Sequence, residues 1–263
     1  MEKATQILQT QNLSIGYHGK KGNIIVGSDI NISLMPGKLV SLVGANGIGK
    51  STLLRTLTGL HKPVSGNVLL YGKNISDYRP LEVAKNISLV LTEKLPPGNL
   101  TVFELIAIGR QPYTNWIGKL SDDDIVKVNL AMELTQTSFL AGKKHYEISD
   151  GQLQKVMIAR ALAQDTPIIV LDEPTTHLDL MHKVMLFQLL TTLAHETNKC
   201  ILFSTHDIEM AIELSDEMIL MSPEKIIQDS PQNLMSRDAF NNLFPDETIS
   251  FDPGKVKFVF KKQ

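Results

Sequence analysis

One octapeptide constrains this 263-residue chain more than any other feature. Gly44-Ala45-Asn46-Gly47-Ile48-Gly49-Lys50-Ser51 matches the pattern G-x-x-x-x-G-K-[ST]. It lies between a short apolar run, Leu39–Val43, and a helical pattern, Ser51–Leu60, so the context is strand, loop, helix. Glycines at these positions let backbone N–H groups turn inward around phosphate oxygens, and the helix that follows adds its positive end. Lys50 can reach the β- and γ-phosphates of a nucleotide, and the Ser51 hydroxyl can ligate Mg²⁺. The candidate phosphate-binding residues are therefore Gly44, Asn46, Gly47, Gly49, Lys50, Ser51 and Thr52.

Further apolar runs surround that loop. Ile7–Tyr17 and Ile24–Leu34, punctuated by Gly19, Gly22 and Gly27, predict strands. Val68–Tyr71, Ile87–Leu91, Pro167–Leu171 and Cys200–Ser204 read the same way. From Thr101 to Ala141 the period is helical, with a capping box between Thr101 and Glu104 and a helix start at Ser121 ahead of three aspartates. Strands alternating with helices predict an α/β fold with a mostly parallel sheet covered on both faces. Beyond Pro223 come helical pieces near Gln232–Leu243, then two alternating strands, Thr248–Phe251 and Lys255–Phe260, around an Asp252-Pro253-Gly254 turn.

Two other segments carry chemistry. Ile168–Leu171 runs into Asp172-Glu173, which puts two carboxylates at the exit of a buried strand, where ligands sit in parallel sheets. Asp172 can hold the Mg²⁺ that Ser51 touches, directly or through water, and Glu173 can face the attacking water as general base or water-orienter. Ile148-Ser149-Asp150-Gly151-Gln152 opens another helical pattern, Leu153–Ala163. Ser149 suits an N-cap and Gly151 permits close backbone approach. The segment is either a second anion-binding helix start or an ordinary capped helix.

The Ser149–Gln152 segment resembles the LSGGQ signature of ATP-binding-cassette (ABC) ATPases. The order phosphate loop, signature, acidic pair, Thr176-His177-Leu178-Asp179 and Ser204-Thr205-His206-Asp207 extends the resemblance over residues 5 to 225. It implies a P-loop NTPase core, a mostly parallel sheet flanked by helices, with an N-terminal antiparallel β-subdomain and an inserted helical subdomain. In these terms residues 1–92 and 164–222 form the nucleotide-binding core, 93–163 the helical signature subdomain and 223–263 a C-terminal extension. It also implies a head-to-tail homodimer in which each ATP lies between one copy's phosphate loop and the other's signature. Ser149, Gly151 and Gln152 would then contact the γ-phosphate in trans, Tyr17 would stack on adenine, and Asp179 would organise the dimer contact. His206 would contact the γ-phosphate and orient water with Glu173. The remaining histidines, His18, His61, His145, His182 and His195, read as packed or solvated.

Leu105–Tyr113 and Trp116–Ser121 resemble the ATPase subunits of iron–siderophore, haem and cobalamin importers, in which this region is the socket for a separate integral membrane permease. That likeness implies permease docking near residues 93–120 and, indirectly, a periplasmic or lipoprotein substrate-binding protein. Tyr113 and Trp116 either belong to that socket or pack the helical subdomain. The chain departs from the family in two places. Thr92-Glu93 stands where a magnesium-ligating glutamine is usual, so either residue is a candidate metal ligand. Asp150 stands where glycine is usual; a carboxylate at about 4 Å from a phosphate charge costs about 1 kcal/mol even in water, so its side chain is expected to point away.

Composition narrows the alternatives. With 26 basic and 28 acidic residues the net charge is −2, which argues against a nucleic-acid binder working by broad electrostatics. The lone cysteine, Cys200, excludes an intrachain disulfide and a cysteine-based zinc site and suits a reducing compartment. No apolar run approaches the roughly 20 residues of a membrane helix, and the first residues, MEKATQILQTQ, lack a signal-peptide pattern. With the resemblance, this implies a peripheral protein at the cytoplasmic face of the inner (plasma) membrane, with ATP and Mg²⁺ as cofactors. An ABC ATPase acting on ribosomes would be expected to carry basic arms or two cassettes in one chain. A small-molecule kinase leaves Ser149–Gln152 and His206 unexplained. An exporter subunit stays open as an alternative.

Overall fold

The computed structural model describes residues 6–19, 22–91, 98–176, 178–243 and 248–260. The chain begins with β1 (Leu8–Gly19), β2 (Gly22–Ile30) and β3 (Ser33–Leu34), then β4 (Leu39–Gly44) and α1 (Lys50–Leu57). Next come β5 (Ser65–Leu70), β6 (Lys73–Asn74), α2 (Pro80–Ala84) and β7 (Ile87–Val90). A helical stretch follows, α3 (Val102–Ala107), α4 (Asp122–Leu134) and α5 (Asp150–Ala163), and then β8 (Ile168–Leu171), α6 (Leu180–Thr197), β9 (Cys200–Ser204) and α7 (Ile208–Leu214). The chain closes with β10 (Glu217–Met221), β11 (Ile226–Asp229), α8 (Pro231–Ser236), β12 (Ile249–Asp252) and β13 (Lys257–Phe260).

The main sheet has the order β11-β10-β4-β9-β8-β7. Every pairing from β10 to β7 is parallel, and β11 is an antiparallel edge. Its parallel strands are mostly apolar because both faces are covered. Alternate residues serve opposite sides. Ile168, Val170, Cys200 and Leu202 pack with Leu53, Leu54 and Leu57 of α1 and with the N-terminal sheet, ordered β2-β1-β5-β6. Ile169, Leu171, Ile201 and Phe203 face the other way, into a cluster with α3, α4, α5 and α6. A third cluster joins α7 and α8 to the C-terminal hairpin, where Phe251 stacks on Phe240 at 4.6 Å.

Several boundaries differ from the sequence expectation. Ile24–Leu34 is two strands, not one: β2 ends at Ile30 and β3 holds only Ser33–Leu34, while Asp29, left-handed at φ 53°, sits at a register shift within β2. The helix expected to reach Leu60 stops at Leu57, where Gly59 at φ 76° supplies the left-handed residue that closes a helix end. Residues 108–113 tighten into 3₁₀ turns around Pro112, which cannot donate a helical hydrogen bond. The C-terminal turn runs over residues 253–256, with Asp252 Oδ1 accepting the N–H groups of Gly254 and Lys255. Trp116 is 94% exposed, so it does not pack the helical layer.

Candidate functional site

Buried along all six of its residues, β4 delivers Gly44 to the carboxyl edge of the main sheet. No larger residue fits there, since a Cβ on Gly44 would lie 2.6 Å from the Met221 carbonyl oxygen. Gly49, at φ 111°, precedes α1 and offers no side-chain cap, which leaves the first-turn N–H groups turned toward an incoming anion. Lys50 is 5% exposed and donates to Gly44 O at 3.1 Å and Ala45 O at 3.3 Å. Its ammonium is 3.9 Å from Glu173 Oε1. Burial lowers its pKa, while the charges of Glu173 and Asp172 act in the opposite direction. Ser51, Asn46 and Gly47 are exposed at the loop. Thr52 is buried, with Oγ1 3.0 Å from the Tyr17 hydroxyl, and the half-exposed Tyr17 ring stands edge-on to His61 at 5.8 Å.

Strand order brings the acidic groups to this lysine. β4 neighbours β9 and β9 neighbours β8, with Leu171 paired to Phe203, so Ser204 stands beside Asp172. Fully buried Ser204 donates through Oγ to Asp172 Oδ1 at 2.7 Å and accepts the Glu173 N–H at 2.8 Å. Glu173 is held left-handed at φ 48°. His206 Nε2 lies 2.6 Å from Glu173 Oε1, and since a carboxylate only accepts, that nitrogen carries the hydrogen. Thr176 Oγ1 donates weakly to Glu173 Oε2 at 3.4 Å. Glu173 is thus flanked by a lysine and a histidine, an arrangement suited to holding and deprotonating a water next to a phosphate. The sequence reading missed Ser204, whose signal was a hydroxyl at the end of an apolar strand. It also missed a network in which Asp207 accepts from Thr175 Oγ1 at 2.9 Å and Lys183 Nζ at 2.7 Å.

The second helix start forms as expected. Ser149 caps α5, accepting the Gln152 N–H at 3.3 Å while Gln152 Oε1 accepts the Ser149 N–H at 3.1 Å. Asp150 is the exposed first residue of that helix, and Gly151 is next. Asp179 caps α6 and accepts from His182 twice, from its N–H at 2.9 Å and from Nδ1 at 2.8 Å. His182, expected to be packed or solvated, is half-exposed and also pairs with Asp179. Thr92, Glu93 and His177 lie outside the described residues.

The Ser51 hydroxyl and Asp172 carboxylate are hard oxygen donors of the kind Mg²⁺ takes together with phosphate oxygens and water. Among the described residues no group of three His, Cys, Asp or Glu side chains is placed to hold an ion.

The family model described as "ABC transporter" matches residues 28–176, a span that contains the phosphate loop, the Ser149–Gln152 helix start and the acidic pair. This chain belongs to the ABC transporter ATPase family. It is 43% identical to an uncharacterized ABC transporter ATP-binding protein of Methanocaldococcus jannaschii, over 90% of this chain and 81% of that one. It is 37% identical to the iron(3+)-hydroxamate import ATP-binding protein of Bacillus subtilis, over 94% of this chain and 91% of that one. Among solved structures, a dimeric bacterial ABC transporter cassette superposes with a TM-score of 0.72 at 27% identity, covering 85% of this chain and 98% of that one. As an ABC ATPase the chain hydrolyses ATP in the service of transport. Among its described residues no helix is long and apolar enough to cross a membrane.

Proposed function

We propose that two copies of this ABC ATPase sandwich ATP and Mg²⁺, and that hydrolysis powers import of a metal chelate (an iron–siderophore, haem or cobalamin) through a separate permease. The observation that carries the catalytic part is the convergence of Lys50, Glu173 and His206 at the ends of three adjacent strands. The loop N–H groups and Lys50 hold the phosphates, Thr52 supports them, and Tyr17 stacks on the base. Lys50 leaves the Gly44 and Ala45 carbonyls for phosphate oxygens. Glu173, released from part of that positive field, takes the proton of the water that attacks the γ-phosphate in line. His206 keeps the carboxylate oriented through Nε2 and adds charge stabilisation near the γ-phosphate. Magnesium held by Ser51 and Asp172, with Thr92 or Glu93 as a further candidate ligand, supplies charge neutralisation on the phosphates when bound. Ser149, Gly151 and Gln152 complete the site from the partner copy, with Asp179 at the dimer contact.

The import assignment rests on the relative named for iron(3+)-hydroxamate import and on the exposed Tyr113 and Trp116, which suit a surface that a permease covers. Residues 93–120 form the docking region in this reading, with 93–163 as the helical unit, and the protein works at the cytoplasmic face with a substrate-binding protein acting beyond the permease. Replacing Glu173 by Gln tests the catalytic part: turnover is lost while ATP-dependent dimerisation persists, and normal hydrolysis overturns the assignment. Uptake of radiolabelled ferric hydroxamate in cells lacking the gene tests the cargo class, with unchanged uptake counting against it.

A further inference from the structure

The cap of α6 and the start of α5 meet through one side chain. Asp179 accepts both the backbone N–H and Nδ1 of His182, and because a carboxylate has no hydrogen to give, Nδ1 carries one. The backbone bond holds the carboxylate at the cap, and the Nδ1 bond orients the ring on it. In that orientation the ring lies against Gly151: a Cβ added there would come within 3.3 Å of His182 Cδ2 and 3.7 Å of Leu178 Cδ2. The α5 helix start does not need this histidine for its own satisfaction, since Ser149 and Gln152 cap each other. Beside the contact opens a cleft of about 560 Å³, to which Ser149, Gly151, Gln152, Lys155, His182 and Met185 contribute. The charged groups that line the same cleft are Lys155 of α5 and Glu133 of α4, and Asp179 pairs with the ring from the cap of its own helix.

We propose that His182 is a positioning residue: clamped by Asp179 and seated on Gly151, it makes the Leu178–His182 turn and the Ser149–Gln152 helix start move as one body toward the partner copy. This rests on the sandwich reading above, in which both segments must reach the partner's nucleotide together. A ring locked by hydrogen bonds transmits displacement, whereas a free side chain would absorb it. The Asp179 carboxyl is held below the usual carboxylate range, chiefly by the His182 backbone N–H and then by its ring.

The test uses the full chain in a Glu173→Gln background, with ATP-driven dimerisation followed by sedimentation velocity. The lone chain's affinity for a fluorescent ATP analogue and the melting temperature are measured beside it. His182→Ala is expected to raise the protein concentration needed for half-dimerisation about tenfold, the loss of one packed and hydrogen-bonded contact. Analogue affinity and melting temperature stay as in the parent. His182→Asn keeps a donor for Asp179 but not the ring, so it recovers only part of the loss. Parent-like dimerisation of His182→Ala, full recovery in His182→Asn, or a loss that follows a fall in melting temperature overturns the proposal. If the Glu173→Gln parent itself stays monomeric with ATP, the sandwich reading fails and this proposal with it. If the parent dimerises and His182→Ala does so equally, only this proposal fails.

Discussion

Ser204 gives its hydroxyl hydrogen to Asp172 at 2.7 Å, and the same oxygen takes the N–H of Glu173 at 2.8 Å. A residue with no catalytic proton of its own thereby sets the angle of one carboxylate and the backbone of the next. Ser204→Ala removes the partner of the part-buried Glu173 N–H, which costs about 1 kcal/mol of stability. It is also expected to lower kcat by about tenfold or more while KM for ATP changes little. Ser204→Thr, which keeps the hydroxyl, should recover most of the rate. Steady-state ATPase kinetics with a thermal melt on each variant checks this.

Cys200 lies fully buried in β9, and burial pushes its thiol from 9.0 up to about 12. The fold favours the neutral form, so the unfolded chain gives up its proton at lower pH. The resulting contribution to stability is complete below the ordinary thiol range and declines as pH rises from about 9 toward 12. At pH 8 the native protein should resist a thiol reagent such as dithionitrobenzoate, and the unfolded chain should titrate one thiol. Reaction of the native protein at the rate of a free thiol would contradict the burial of this strand.

Arg110 and Asp124 form a buried pair at 2.8 Å that joins the 3₁₀ stretch to α4, and Arg110 also donates to Ala163 O, at the end of α5, at 2.7 Å. Arg110→Ala strands the carboxylate and should cost about 3–5 kcal/mol in denaturant unfolding. The Ser121 N–H first, then the Ser121 hydroxyl and Arg110, hold the Asp124 carboxyl below its ordinary range. Its contribution is therefore present above the usual aspartate pKa and disappears as pH falls through the depressed value. Asp124→Asn should flatten that acid limb of the stability curve.

Tyr17 offers a half-exposed ring and a hydroxyl 3.0 Å from Thr52 Oγ1. Tyr17→Ala should weaken ATP binding about threefold to tenfold, the worth of one ring contact. Tyr17→Phe keeps the ring and should stay near the parent. Calorimetric titration separates the two, and equal losses would assign the effect to the hydroxyl.

The sheet was legible because a strand covered on both faces has no polar alternation to blur it: Leu39–Val43, Ile168–Leu171 and Cys200–Ser204 stand out as apolar runs. The phosphate loop and both helix caps at Ser121 and Ser149 were legible because local chemistry specifies them. The register shift at left-handed Asp29 was not, since aspartate adopts either conformation. The strand Glu217–Met221 carries no boundary signal in the sequence, because it follows α7 closely with no glycine or proline between them. Side-chain roles that depend on strand order were invisible. Ser204 meets Asp172 across 32 positions, and His182 meets Gly151 only where the chain brings the starts of α6 and α5 side by side.

Glu173 is held at φ 48°, a conformation that glycine and asparagine enter with little resistance and glutamate resists. Selection of this protein for heat tolerance alone would therefore drift toward Gly or Asn at that position, gaining robustness and shedding turnover together. Screens for a hardier variant need activity as a co-selected trait, or they will enrich inert ones.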